Sequence, residues 1–228
     1  MKKIVTVVVS LLLVMALSGC WAGDVNSGLT ITSAAGAGYK TLRIEILKDH
    51  VEKPDKNGKV DDNSDYFPNG MNAVTKFLKK SVPAGFKIGF REEKNKYVYS
   101  VTYSFKDIKD YNAKTKQLIG SKVWAEKKLK DATITSVAAA GGKKVTFKED
   151  ASLTATSVLE VIKKVYLNPD VFDPTHGGHE VITIDQVYAL KGISAKVGNS
   201  AVKTFDMTVK GKPVTTIQQT GFIKTASK

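Results

Sequence analysis

The chain holds one cysteine, Cys20, among 228 residues. A lone cysteine cannot close an internal disulfide, which excludes the cross-linked scaffold common among small exported domains. Arginine is nearly as scarce. It occurs only at Arg43 and Arg91, so 33 of the 35 basic residues are lysine. Readers of nucleic acid favour arginine, whose planar fork pairs bidentately with guanine and phosphate, so this composition argues against a nucleic-acid partner. No apolar run reaches the about 20 residues that a membrane-spanning helix requires. There is no G-x-S-x-G nucleophile elbow, no glycine-rich phosphate loop and no dinucleotide fingerprint.

What is present begins at the N-terminus. Met1-Lys2-Lys3 is a short positive start, and Ile4 to Leu17 is apolar except for Thr6 and Ser10. Ser18 and Gly19 supply small residues before Cys20. A charged start, a short apolar core and a small-residue exit describe an export signal. Leu17-Ser18-Gly19-Cys20 also resembles the lipobox of bacterial lipoproteins, in both the tetrapeptide and its position. The resemblance implies a signal peptide over residues 1–19, diacylglyceryl (and palmitate-type) modification of Cys20, and a mature chain that starts at that cysteine. It covers the first 20 residues only and implies nothing about the fold beyond them. The alternative is ordinary cleavage after Ser18, which would leave a free thiol in an oxidising compartment. Lipidation removes that oddity by capping the sulfur, and two or more acyl chains anchor a protein stably where one does so only marginally. Cys20 therefore reads as an anchor, and the protein as held to the cell membrane on its extracytoplasmic side. With Cys20 so used, neither common nucleophile is placed by a motif, and the chain reads as a non-enzyme without a cofactor.

The formal charge of +13 falls to +11 once Lys2 and Lys3 leave with the signal. A lysine-rich exported surface suits loose attraction to anionic envelope polymer or acidic lipid. Simple solvation of the surface explains the lysines equally well. Residues 20–40 (CWAGDVNSGLTITSAAGAGYK) are rich in Gly, Ser and Ala and read as the lipidated cysteine and a flexible tether, spanning roughly 25 Å for about 20 residues. Within it, Leu29 to Thr32 reads alternatively as a first strand. Residues 41–228 are long enough for one sizeable core, with a candidate sub-boundary near 120.

From Thr41 the pattern alternates between strand and helix. TLRIEIL places Leu42, Ile44 and Ile46 on one face. A helix after Pro68, with Asn69 as its cap, carries a stripe of Met71, Val74, Phe77 and Leu78, and ends before Pro83 and Gly85. YVYSVTYSF alternates cleanly, with Tyr97, Tyr99, Val101, Tyr103 and Phe105 on the core face and Ser100, Thr102 and Ser104 opposite, together with Val98. A helix capped by Asp107 follows, lined by Ile108, Tyr111, Thr115, Leu118 and Ile119 and stopped by Gly120. Two strands around Gly141-Gly142 lead into a second helix to about Leu167, where Ser157 and Glu160 form a capping box if the helix starts late. Phe105-Lys106-Asp107 and Phe147-Lys148-Glu149 mark similar strand-to-helix junctions, consistent with either a ββα duplication or common patterning. The last third, from HEVITIDQVYAL through turns at Gly198-Asn199 and Lys210-Gly211, is strand-rich and reads as an antiparallel meander. The expected class is α+β, an antiparallel sheet with about three helices on one face.

Two loops have metal-ligating residues. Asp55 to Asp65 (DKNGKVDDNSD) offers oxygen ligands, but Gly58 arrives too early for a calcium loop and no Glu closes it. Asn168 to Glu180 (NPDVFDPTHGGHE) gathers Asp170, Asp173, His176, His179 and Glu180. Such ligands suit zinc and hydrolytic chemistry, yet Gly177-Gly178 opposes the helix that the H-E-x-x-H arrangement needs. Two function classes result: a lipid-anchored binding or interaction domain of the bacterial envelope, and a metal-assisted envelope hydrolase built on residues 170–180. The absence of catalytic motifs favours the first.

Overall fold

The computed structural model describes residues 25–48, 67, 69–172, 192–205, 208–209, 212–213 and 215–224. The signal and Cys20, the 55–65 loop and the HEVITIDQVYAL segment lie outside the described residues.

The class is α+β. In chain order the elements are β1 (Val25–Ile31), β2 (Gly38–Leu47), α1 (Gly70–Ser81), β3 (Lys87–Glu92), β4 (Lys96–Phe105), α2 (Ile108–Ile119), α3 (Ser121–Glu126), β5 (Thr133–Ala139), β6 (Gly142–Asp150), α4 (Ala151–Tyr166), β7 (Ile193–Val197), β8 (Lys203–Phe205), β9 (Thr208–Val209), β10 (Lys212–Pro213) and β11 (Thr216–Lys224). A six-stranded sheet has the order β3-β4-β2-β1-β7-β8, a three-stranded sheet the order β11-β6-β5, and β9-β10 form a short ladder. Every described pairing is antiparallel except β1 with β7, which run parallel. The C-terminal strands therefore do not make one meander: β7 and β8 extend the large sheet, while β11 crosses to β6.

Val25–Ile31 corrects the expected tether. It is a strand near the middle of the sheet, with Val25, Leu29 and Ile31 buried on one face, and β2 already begins at Gly38. Glycine, serine and alanine lower strand propensity but do not prevent pairing when both edges find neighbours, and β2 and β7 supply them. The folded domain thus takes in Val25 to Lys40 and does not start at Thr41.

β4 behaves as its alternation requires. Tyr99, Val101, Tyr103 and Phe105 are buried, and they face a core that also takes Tyr111 and Leu118 from α2 and Val158, Ile162 and Val165 from α4. α4 is enclosed nearly all round, with eleven of its sixteen residues buried. One continuous core joins residues on both sides of Gly120, so residue 120 marks a helix junction rather than a domain boundary among the described residues. Gly120 takes φ +93°, which ends α2 and lets α3 start in a new direction.

The caps differ in part from expectation. Asp107 accepts from Asp110 N at 2.8 Å, as its position predicts. α4 starts early, capped by Asp150 through Ser152 N at 2.9 Å, so Ser157 lies mid-helix and its hydroxyl bonds back to Leu153 O. Asn69 precedes α1 but makes no cap bond; its amide donates instead to Asp170 O at 2.9 Å. Its φ of −105° and ψ of 14° are not the extended geometry that aims a capping side chain at its own helix.

A second sequence relation becomes legible beside the fold. Residues 30–40 (TITSAAGAGYK) and 133–143 (TITSVAAAGGK) agree at eight of eleven positions. Both open a hairpin, yet the hairpins differ. The first strand stops at Ile31 before a loop in which Gly36 takes φ +90°; the second runs on to Ala139 and turns at Gly141, φ +74°. The position matching Gly36 is Ala139, which stays in the strand, so the available glycine decides where the chain reverses. β5 has β6 on one side and no second neighbour among the described residues.

Candidate functional site

The helices cover one face of the six-stranded sheet. The opposite face is built from the alternate positions of each strand; it carries Tyr39 and Val98, but most of its central positions are small or polar. One cross-strand row runs through all six strands: Lys87, Thr102, Thr41, Gly28, Ser194 and Thr204. The next row carries Gly89, Ser100, Arg43 and Asn26. Thr41 and Thr102 share a hydrogen bond of 2.9 Å between hydroxyls, and the Ser194 hydroxyl donates to Ser27 O at 3.3 Å. A pocket of about 510 Å³ opens here, lined by Asn26, Ser27, Gly28, Thr41, Arg43, Gly192, Ser194 and Thr204. Gly28 leaves its floor low: a methyl group there would meet only the Ser194 hydroxyl, at 3.5 Å.

The charged side of the pocket is a fixed network. Arg43 Nη2 lies 2.9 Å from Glu45 Oε1 and 3.7 Å from Glu93 Oε1, and Arg91 also pairs with Glu93. Both arginines of the chain thus converge on one carboxylate. Lys96 Nζ bridges Glu45 Oε2 at 2.6 Å and Glu93 Oε2 at 3.5 Å. The Glu45 hydrogen bond raises the Lys96 amine above its ordinary range against a smaller desolvation effect. Desolvation pushes Glu93 upward, but the Arg91 hydrogen bond and the Arg91 and Lys96 charges outweigh it and hold the carboxyl low. The guanidinium of Arg43 is thereby oriented and partly neutralised, and acts as a hydrogen-bond donor more than as a free cation.

A second polar cluster lies inside the core. Lys40 on β2 donates to Tyr111 OH at 2.7 Å, to Thr154 Oγ1 at 2.5 Å and to Glu149 Oε1 at 3.4 Å. Tyr111 and Thr154 in turn donate to Glu149. All three ammonium donors are used, and both carboxylate oxygens accept. Desolvation pushes the Lys40 amine down while Glu149 opposes it; desolvation, then the charge of Glu149, lifts the Tyr111 hydroxyl well above its ordinary value. Lys40, Tyr111 and Thr154 are fully buried and Glu149 nearly so. With no route to solvent and no spare bonding capacity, this cluster joins two sheets and two helices rather than meeting a ligand.

Of the expected metal ligands, Asp170 is described; Asp173, His176, His179 and Glu180 lie outside the described residues. Asp170 is exposed just beyond α4, where its backbone is tied to Asn168 and Asn69. Among the described residues no group of three or more His, Cys, Asp or Glu side chains is placed to hold a metal. The alternation in β4 had already put Ser100, Thr102 and Ser104 on a shared outer face. The β1, β7 and β8 contributions were missed because β1 reads as linker and the others are short. No family model, curated protein or solved structure matches the chain.

Proposed function

We propose that the protein is a membrane-anchored bacterial lipoprotein, held through Cys20, whose extracytoplasmic domain is a binding module that uses the open face of the six-stranded sheet. The observation that carries the anchoring is Leu17-Ser18-Gly19-Cys20 directly after an apolar run of signal length. No helix among the described residues is long and apolar enough to cross a membrane. The binding face is supported by its lining. Hydroxyls, an amide and an oriented guanidinium around a glycine floor match the hydroxyl-rich edge of a glycan, and the lysine excess adds attraction to an anionic envelope polymer or acidic lipid.

Fractionation tests the anchor. Cys20→Ser should release the protein from the membrane fraction, and unchanged membrane retention with the signal removed would refute it. For the binding face, the released variant should sediment with purified cell-wall polymer at low salt. Arg43→Ala should weaken that sedimentation, whereas equal binding by both proteins would move the ligand elsewhere.

A further inference from the structure

The distance from anchor to fold is short. Four residues, Trp21–Asp24, separate Cys20 from Val25. Five Cα steps reach at most about 18 Å even when fully extended. Val25 sits in one cross-strand row with Ile44, Tyr99 and Phe90. The chain enters β1 from beyond that row, on the side where β2 runs on to Leu47 and Lys48 and where β3 and β4 join through residues 93–95. That hairpin end is closed by Glu93 N to Lys96 O at 2.8 Å and held to β2 by Lys48 N to Asn95 O at 2.9 Å. The four residues from Ile44 to Lys48 carry the sheet about 13 Å past the row, at a rise of about 3.3 Å each. This end therefore projects nearly as far as the linker can reach.

We propose that this end of the sheet, the β3–β4 hairpin tip with the last residues of β2, rests on the phospholipid headgroup layer that holds Cys20. The proposal depends on the lipoprotein reading and gives the domain a fixed stance on the bilayer. A lipidated Cys20 places its backbone at the headgroups, and any bend in Trp21–Asp24 brings the tip closer still. The surface offered suits the site. Lys94 is exposed and meets phosphate, while Arg91 is paired with Glu93, Lys48 with Glu92 and Lys96 with Glu45 and Glu93, so most charges at the tip are already partnered. Contact is enforced by chain length rather than by net charge. The opposite end, at the Gly198-Asn199 turn, stands about 20 Å beyond Val25, because β7 runs parallel to β1 for its last five residues. In this stance the polar pocket opens sideways, just above the headgroups.

The test uses the full-length lipidated protein in vesicles of phosphatidylcholine and phosphatidylglycerol that carry a headgroup quencher. With Cys20 acylated, one introduced cysteine is a unique labelling site. A fluorophore at Lys94→Cys should be quenched several-fold more than one at Lys87→Cys on the open face or at Asn199→Cys at the far end. Inserting about twenty Gly/Ser residues between Asp24 and Val25 should abolish the difference. Omitting phosphatidylglycerol should not. Equal quenching at the three sites, or stronger quenching at Lys87→Cys, would overturn the stance while leaving the lipoprotein reading intact. Intact-mass analysis showing no lipid on Cys20 would overturn both.

Discussion

Lys40 and Glu149 lie 109 residues apart in sequence and 3.4 Å apart in the core, each side chain about 1% exposed. Such a pair adds little net stability over an apolar replacement, but breaking it strands a buried charge. Lys40→Met is therefore expected to cost about 3–5 kcal/mol, and Lys40→Met with Glu149→Leu less than the single change. Urea unfolding of the two variants checks this. A double variant weaker than the single one would mean that Tyr111 and Thr154 need the carboxylate for their own satisfaction.

The core tyrosines set the alkaline limit. Burial lifts the hydroxyls of Tyr99, Tyr103 and Tyr111 above the ordinary tyrosine value of 10.0. A raised folded value stabilises fully below the unfolded value and is lost as pH climbs through the folded one. Stability should fall steeply above about pH 10, with tyrosinate absorbance appearing together with unfolding. Lys40 works the other way. Its lowered folded value means that the folded state releases a proton first, so stability rises with pH in the interval just below 10.5. The lysine acts below 10.5 and the tyrosines above 10.0, so stability peaks near that boundary and falls beyond it. Tyrosinate that forms while the near-ultraviolet circular dichroism is still native would contradict the burial argument.

Glycines on the same sheet should respond in opposite ways. Gly28→Ala meets nothing closer than the Ser194 hydroxyl at 3.5 Å, so stability should change by no more than about 0.5 kcal/mol while the added methyl fills the pocket floor and weakens ligand retention. In Gly38→Ala the new methyl would lie 2.0 Å from Thr30 O, which is backbone and cannot step aside. A loss of about 4 kcal/mol or more is expected there. Thermal melts of the two variants distinguish them, and similar melting temperatures would show that the β1–β2 contact relaxes.

Asp107→Ala should cost about 1 kcal/mol through the lost cap of α2. Asn69→Ala should cost α1 nothing as a cap, but should loosen the chain after α4 by removing the bond to Asp170 O. Hydrogen exchange at residues 168–172 separates the two effects: protection there falls in Asn69→Ala only.

Where periodicity was strong, the sequence was readable. The stripe of α1, the aromatic face of β4 and the Asp107 cap all follow from side-chain spacing, and the structure places them accordingly. The failures share one cause. Residues 25–40 look like linker because their strand-forming power comes from neighbours on both edges, and β7 lies about 170 residues away in sequence. The buried Lys40 was equally hidden. Nothing local distinguishes it from the other lysines, and its partners arrive from α2, β6 and α4. The pocket inherits the same difficulty, since its floor and one wall belong to β1 and β7.

The continuation of β5 to Ala139 has a colloidal consequence. Ala132 to Gly142 carry no charge, residues 135–141 are all exposed, and Val137 is 67% exposed. An uncharged strand whose second edge has no neighbour among the described residues is a template for a second copy of itself, and the proposed anchoring at Cys20 would raise the encounter rate of copies on one membrane. Lys143, Lys144 and Lys148 on the neighbouring strand oppose this by setting like charge beside every approaching edge. Part of the lysine excess then serves as mutual repulsion between copies. Light scattering of the Cys20→Ser protein should rise once salt shortens the screening length to about 3 Å near 1 M, and Val137→Lys should suppress that rise.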